Sequence, residues 1–454
     1  MRAVIALALP LFLNSSVQAV LNLTDTWFLG RISTAAVAAV GAVYWFVVVF
    51  VLVFGGVAMA VQTLVAQAYG AGDRESAARA TWAGLWVALG MAPFYVVASL
   101  SGGMLLSPFR LDAQLQGLAL EFWFPRMLTA VLGVSLWAVS SFFSGIGRTG
   151  VPLLIMLGVA AVNAVLNQLF IFGLGWGVAG AAWATGAAQL FGLAVALRLF
   201  LGRALREEYR CHKAWRPNWR DMRAAFLLGL PMGLVPALDV ASLALFQVMQ
   251  VALGEIAGAA TLIVMMMTSI AYMPAVGIAS AGTTLVGQAI GAGDKAWATR
   301  VGNAAIKLNV AYMGMVSLAL ALGASWFLPV FVAAGGANAA QTIALGGTLL
   351  WFAAAYQIFD GLNLGSAFAL RGAGDVRVPA VLVLLLSWLV FIPLAHTLSF
   401  APGQGWIDGV PKLGWGAAGG WAAIAVYTMF LGIIMLWRWR SGAWRQIELR
   451  RQAG

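Results

Sequence analysis

VQTLVAQAYGAGDRESAAR, residues 61–79, occurs twice in this chain: residues 282–300 read GTTLVGQAIGAGDKAWATR, an offset of 221 in a length of 454. Aligned without gaps, Thr63, Leu64, Val65, Gln67, Ala68, Gly70, Ala71, Gly72, Asp73, Ala77 and Arg79 meet identical residues. A period of about half the chain means a duplicated half, not a short-repeat solenoid. Other landmarks keep the correspondence. Leu9-Pro10 pairs with Leu230-Pro231, Gly145-Ile146-Gly147 with Gly372-Ala373-Gly374, and LGWGVAG (174–180) with LGWGAAG (413–419). The offset drifts from 221 through 227 to 239, so the halves differ by loop insertions. Two such halves are expected to enclose a site between them.

Apolar residues make up 62% of the chain and charged residues 9%, with a mean hydropathy of +0.92. Soluble domains carry about 25% charge, so the chain reads as a polytopic membrane protein. Its net charge of +11 is spread as single basic residues over short loops, which is a topology signal. No basic stripe interleaved with aromatics occurs, so a nucleic-acid partner is excluded. The one cysteine, Cys211, excludes an internal disulfide or a thiolate metal cluster. His212 and His396 are far apart and read as ordinary residues. Arg2, an apolar run and Val17-Gln18-Ala19 imitate a signal peptide. The apolar pattern continues to Leu29, however, and matches the start of the second half, so a transmembrane helix is expected.

A span needs about 20 mainly apolar residues. Twelve are expected, at roughly 3–29, 36–68, 80–106, 119–145, 151–173, 177–201, 224–250, 258–290, 303–333, 341–370, 376–400 and 413–437. Pro10, Pro93, Pro125, Pro231, Pro236, Pro274 and Pro393 fall inside them and mark kinks. Loops after even-numbered spans and the tail, with Arg450 and Arg451, hold most of the arginines and lysines. Loops after odd-numbered spans hold only Arg31, Arg110 and Lys412. Both termini are therefore expected in the cytoplasm, with the chain in the cell inner membrane. Six spans per half is even, so the halves are parallel repeats about a pseudo-two-fold axis along the membrane normal. The expected fold is all-α integral membrane. The N-lobe is residues 1–201 (helices 1–6), a cytoplasmic basic linker follows at 202–223, the C-lobe is 224–437 (helices 7–12), and 438–454 is a basic cytoplasmic tail. The linker reads either as a lipid-headgroup or regulatory contact, or as a solvated connection obeying the positive-inside rule.

Nearly all acidic residues lie in loops or at span ends, and three do not: Asp25, Asp239 and Asp360. A mid-helix aspartate costs about 2.5–3.5 kcal/mol to insert, so each is a functional candidate. No lysine or arginine stands at a matching depth as an obvious partner, so each carboxyl is expected to hold a proton or a cation. Asn163 and Asn167, at i and i+4, share a helix face. With Thr185 they fall at the depth of Asp25 and suggest an N-lobe polar pocket, or alternatively interhelical glue. Gln247 and Gln250 follow Asp239 on its helix. Gln357, Asp360 and Asn363, spaced by three, suggest a C-lobe polar pocket. Met265, Met266, Met267 and Met273 read as an adaptable apolar lining or as plain packing. Gly145-Ile146-Gly147-Arg148-Thr149-Gly150 fits G-x-G-x-x-G but follows a membrane helix, not a strand, so no nucleotide site is expected. No Walker motif, Ser-His-Asp set or metal-ligand spacing supports an enzyme or an ATP-driven pump.

DTWFLG (25–30), QAYGAGD (67–73), QAIGAGD (288–294), Gly229-Leu230-Pro231, RGAGD (371–375) and GLGWGVAG (173–180) together resemble the multidrug and toxic compound extrusion (MATE) transporters, over essentially the whole chain. The resemblance implies a two-lobed, twelve-helix antiporter. It would export organic cations and amphipathic drugs against inward H+ or Na+, by alternating access and without a cofactor. It implies that Asp25 is the acidic residue of the first helix, that Asn163 and Thr185 belong to the N-lobe site, and that Asp239 and Asp360 form a C-lobe acidic pair, the place for Na+ if sodium is the coupling ion. Asn167 stands where many members have an aspartate. The expected partners are the lipid bilayer and small organic cations, with the chain working as a monomer. The rival reading is a lipid-linked precursor flippase of the same broad superfamily.

Overall fold

In lipid a spanning chain satisfies its backbone either as helices or as a closed barrel, and runs of about 20 apolar residues suit the helix: a computed structural model of the protein is helical throughout, with no strand among the described residues. The structure describes residues 2–107, 112–332, 338–407 and 409–447; Arg110, Arg450 and Arg451 lie outside them. The first half contains α1 (Arg2–Ile32), α2 (Thr34–Gly70), α3 (Arg74–Gly90), α4 (Ala92–Leu100), α5 (Gly102–Leu106), α6 (Ala113–Leu128), α7 (Ala130–Gly145), α8 (Gly150–Asn167) and α9 (Gly177–Phe200). A short α10 (Arg203–Glu208) leads to α11 (Trp219–Ala252), α12 (Glu255–Gly291), α13 (Lys295–Leu322), α14 (Ala324–Phe331), α15 (Ala339–Ala373), α16 (Arg377–Leu385), α17 (Ile392–Ser399) and α18 (Gly416–Arg440). Among the described residues, eleven helical segments are long and apolar enough to cross a membrane. They become twelve when α6 and α7, bent by 42° at Thr129, count as one.

The prolines divide by their effect. Pro10, Pro125, Pro231, Pro236 and Pro274 sit within continuous helices, whereas Pro93 and Pro393 stand in the first turn of new ones, α4 and α17. A proline at the first turn forfeits no intrahelical bond. α1 runs unbroken through the stretch that imitates a signal peptide.

The duplicated stretch has a local physical reading. In each copy G-A-G-D ends one helix and starts the next. Gly72 (φ +74°) and Gly293 (φ +80°) take the left-handed conformation that favours glycine. Asp73 and Asp294 then cap α3 and α13 by accepting from Ser76 N–H (3.0 Å) and Trp297 N–H (2.7 Å). The two copies also meet. A Cβ on Gly70 would collide with the Gln288 carbonyl, and one on Gly291 with the Gln67 carbonyl. Gln67 Nε2 donates to Gly372 O (3.0 Å) as Gln288 Nε2 donates to Gly145 O (2.8 Å). Thr63 Oγ1 donates to Arg371 O (3.2 Å) as Thr284 Oγ1 donates to Ser144 O (3.1 Å). The end of α2 is thus tied to the end of α15, and the end of α12 to the end of α7, by a reciprocal set of bonds that repeats the internal duplication. Farther along the same helices the pattern continues, with Gly56 against Gly229 and Gly233, and Gly277 against Leu11 and Phe12.

Residues 202–223 are more ordered than a solvated connection. α10 lies inside them and α11 begins at Trp219. Trp82 Nε1 and Trp86 Nε1 of α3 donate to the carbonyls of Cys211 (2.8 Å) and Trp215 (2.7 Å). Arg74–Glu208 (3.4 Å) and Arg79–Asp221 (3.5 Å) add ion pairs to the same face. The segment after α18 folds back in the same manner onto α13: Lys295 Nζ donates to Arg445 O (2.8 Å) and Arg445 Nη2 to Thr299 Oγ1 (3.0 Å).

Candidate functional site

The first polar cluster gathers four side chains from three helices. Asn167 Nδ2 donates to Asp25 Oδ1 (2.7 Å) and to Asn163 Oδ1 (3.0 Å). Thr185 Oγ1 lies 3.3 Å from Asp25 Oδ2 and 3.0 Å from Ala181 O, and accepts from Asn163 Nδ2 at 3.4 Å. Asn163, Asn167 and Thr185 are buried while Asp25 is half-buried. The amide at 167 matters chemically. A second carboxylate there would face Asp25 as a like charge, whereas Asn167 presents it with a donor. Immediately after Asn167 the helix widens into a π turn, Gln168–Gly173, a distortion common at functional sites.

One charged residue of this region escaped the sequence reading, which found no basic partner at the depth of the span aspartates. Arg126 is within electrostatic reach of Asp25, Tyr44 and Tyr95, yet makes no ion pair among the described residues, and its Nη1 is enclosed without a hydrogen-bond partner. Its position explains how a cation is tolerated there. It occupies the last turn of α6, three residues before the 42° break, where the negative end of the helix dipole favours positive charge. The signal was present: Arg126 is a charge inside an expected span, and a census of bases as well as acids within spans finds it.

The second cluster is looser. Asp239 Oδ1 accepts from Tyr427 Oη (2.9 Å), and Asp360 Oδ1 accepts from Asn363 Nδ2 (3.3 Å). The two carboxylates feel each other electrostatically but share no hydrogen bond. Tyr427, on α18, had no mark in the sequence beyond its aromatic type; its ring stacks on Phe391 with centroids 5.1 Å apart. Gln247 and Gln357 are spent elsewhere. Gln247 Nε2 donates to Gly258 O (3.1 Å) and the buried Gln357 Nε2 to Thr268 O (3.0 Å), so both brace neighbouring helices against α12. Gln250 is buried and its amide has no hydrogen-bond partner among the described residues. Of the methionines, Met267 is buried while Met266 and Met273 are exposed. Among the described residues no group of three or more His, Cys, Asp or Glu could hold a metal ion. His396 accepts from Trp406 N–H (3.0 Å) and fastens a loop.

An all-helical, duplicated membrane protein with one ionisable cluster in each half is thereby defined. The MatE family model matches residues 10–169 and 231–397, and the chain belongs to that family. It is 29% identical over 460 residues to the probable multidrug resistance protein NorM of Rhizobium meliloti, covering 96% of this chain and 92% of that one. It is 30% identical over 448 residues to the protein of the same name in Bradyrhizobium diazoefficiens, covering 97% and 93%. Its fold matches a MATE crystal structure in the straight conformation with a TM-score of 0.85, at 20% identity and 98% and 97% coverage.

Proposed function

We propose that this chain is a multidrug exporter of the inner membrane, with both termini in the cytoplasm. It exchanges amphipathic organic cations for inward protons by alternating access between its two halves. Membership of the MatE family and the similarity to proteins named for multidrug resistance support the exporter reading. The observation that carries the coupling is the hydrogen-bond set around Asp25. Thr185 has a single O–H proton and two acceptors in reach, Asp25 Oδ2 and Ala181 O. With Asp25 ionised, Thr185 donates to the carboxylate. With Asp25 protonated, the carboxyl donates to Thr185 Oγ1 and Thr185 turns to Ala181 O. In both states the Asp25 carboxyl and the Thr185 hydroxyl find a partner, so a proton can enter and leave without orphaning either group.

Proton and organic cation then compete for one carboxylate. An ionised Asp25 attracts a cationic cargo, and protonation from outside removes that attraction and leaves Arg126 unopposed, which expels positive charge from the site. Asp239 and Asp360 each keep one oxygen free of Tyr427 and Asn363 and would take the cationic cargo, or Na+, in the second half. The reciprocal bonds from α2 to α15 and from α12 to α7, with the close approach of α2 and α12 at Gly70 and Gly291, would hold one face closed while the other is open. The driving force suffices: one pH unit supplies about 1.4 kcal/mol per proton, and the membrane potential about 2.3 kcal/mol per 100 mV.

The test is efflux of a permanently charged aromatic cation from proteoliposomes, driven in turn by a proton and a sodium gradient. Proton-driven efflux that Asp25→Asn abolishes is expected. Sodium-driven efflux indifferent to Asp25→Asn would move coupling to Asp239 and Asp360. If neither gradient moves the cation, the exporter reading fails and a lipid-linked precursor becomes the cargo to test.

A further inference from the structure

The turns after α7 and α15 are built alike and charged oppositely. Gly147 (φ +84°) and Gly374 (φ +85°) make the same left-handed stop. Arg148 N–H then donates to Phe143 O (2.8 Å) as Asp375 N–H donates to Leu370 O (2.9 Å). In the second half Asp375, only 3% exposed, is held by Arg438 Nε at 2.7 Å. In the first half an arginine, Arg148, stands at the position of Asp375. Leu199 stands at that of Arg438, the same 239 residues away as the two LGWG corners. No ion pair equivalent to Asp375–Arg438 forms there.

The corresponding place holds a cavity of about 770 Å³, lined by Arg148, Arg198 and Arg203 over Phe143, Val151 and Leu205. Its positive charge is poorly offset. Glu208 is 4.0 Å from Arg148 but closer to Arg74, at 3.4 Å, and neither Arg198 nor Arg203 makes an ion pair among the described residues. The site lies where α9 ends and α8 begins, at the boundary between apolar spans and basic linker. A soluble anion would use the arginines alone; an amphiphile carrying a phosphate would use the arginines and the apolar floor together.

We propose that this cavity binds the headgroup of an anionic phospholipid, which supplies in the first half the negative charge that Asp375 supplies in the second. The site is separate from the transport clusters and goes beyond the exporter reading.

The full chain is placed in nanodiscs of phosphatidylcholine, with or without phosphatidylglycerol. The lipid retained after release is counted by native mass spectrometry, and the unfolding temperature is followed in parallel. Wild type is expected to retain phosphatidylglycerol preferentially and to unfold at higher temperature in its presence. Removing a basic contact weakens anionic-lipid attraction about fivefold, so Arg198→Gln/Arg203→Gln should lose about 25-fold in preference. Arg148→Asp, which recreates the second half's residue, should lose it as well. Arg216→Gln/Arg220→Gln, which removes the same charge from the linker, should leave the preference intact. Equal losses in the linker variant would mean net charge alone attracts the lipid and would overturn the site. So would undiminished preference in Arg198→Gln/Arg203→Gln, or the same stabilisation from inorganic phosphate in phosphatidylcholine discs.

Discussion

The two halves of this protein repeat each other's contacts where they meet and differ where they hold charge. Near the crossing of α2 and α12 contacts come in counterpart pairs, Gln67 with Gln288, Thr63 with Thr284, Gly70 with Gly291, and only Gln62, which reaches Ser280 and Thr284 across the crossing, has none among the described residues. At the polar clusters the correspondence is gone. The first half surrounds a single carboxylate with two amides, a hydroxyl and a nearby arginine; the second holds two carboxylates, a phenol and one amide. Duplication has kept the mechanical contact, which must serve both halves at once, and released the chemistry, which each half uses alone. A contact between two equivalent helices cannot change on one side without costing the other its partner.

The comparison predicts equal effects at the crossing and unequal ones in the clusters. Gly70→Leu and Gly291→Leu each drive a side chain into the opposite helix's carbonyl, and each should abolish efflux. Both should open the α2–α12 end to a thiol reagent at an introduced cysteine, in protein that still elutes as a folded species. If one variant were active and the other dead, the reciprocal contact would not be functionally symmetric. In the clusters, Asp25→Asn should lower proton-driven efflux by about a hundredfold or more, the scale of a lost acid–base group. Asp239→Asn should mainly raise the concentration of cation needed for half-maximal transport. Identical defects from both would erase the distinction between the halves.

Much of this arrangement was legible in the sequence, for identifiable reasons. The turn between α2 and α3 could be read because glycine and aspartate do local work there, and local rules act at fixed spacing. The i, i+4 spacing of Asn163 and Asn167 put them on one face, and the depth of Asp25 put it opposite. Arg126 was passed over because its tolerance depends on a helix end that hydropathy does not reveal: the run 119–145 is apolar enough to read as one span, while the structure breaks it at Thr129. Gln247 and Gln357 carry the same polar atoms as pocket residues. Only the neighbouring helix decides that their amides are consumed by the carbonyls of Gly258 and Thr268. Side-chain identity places a donor on a helix; which acceptor it meets is a property of packing between helices.

A gentler probe of the same helix ends, through their bonds to α15 and α7, is Gln67→Leu beside Gln288→Leu. Each leaves one buried carbonyl, of Gly372 or Gly145, without its donor, at a cost of about 1–3 kcal/mol. If these bonds hold one face closed, each variant should shift the population toward the opposite state by about five- to a hundredfold. Accessibility of an introduced cysteine from each side would read the shift. The two variants should shift in the same direction and by similar amounts, with the double variant shifting farther.

The smallest effect belongs to the segments that follow each half. Residues 202–223 dock on α3 and the segment after α18 docks on α13, but only the first carries a reporter, Cys211. Its burial pushes the thiol up to about 12. Only the thiolate reacts with alkylating reagents, so at neutral pH labelling should run about a thousandfold slower than for an ordinary cysteine and should climb as pH rises. Trp82→Phe removes the bond from the indole N–H to the Cys211 carbonyl without removing the ring. It should therefore speed labelling severalfold while leaving transport almost unchanged. If labelling is already fast in the wild type, the linker is not docked in solution as the tail is, and the two halves are closed off at this face by different means.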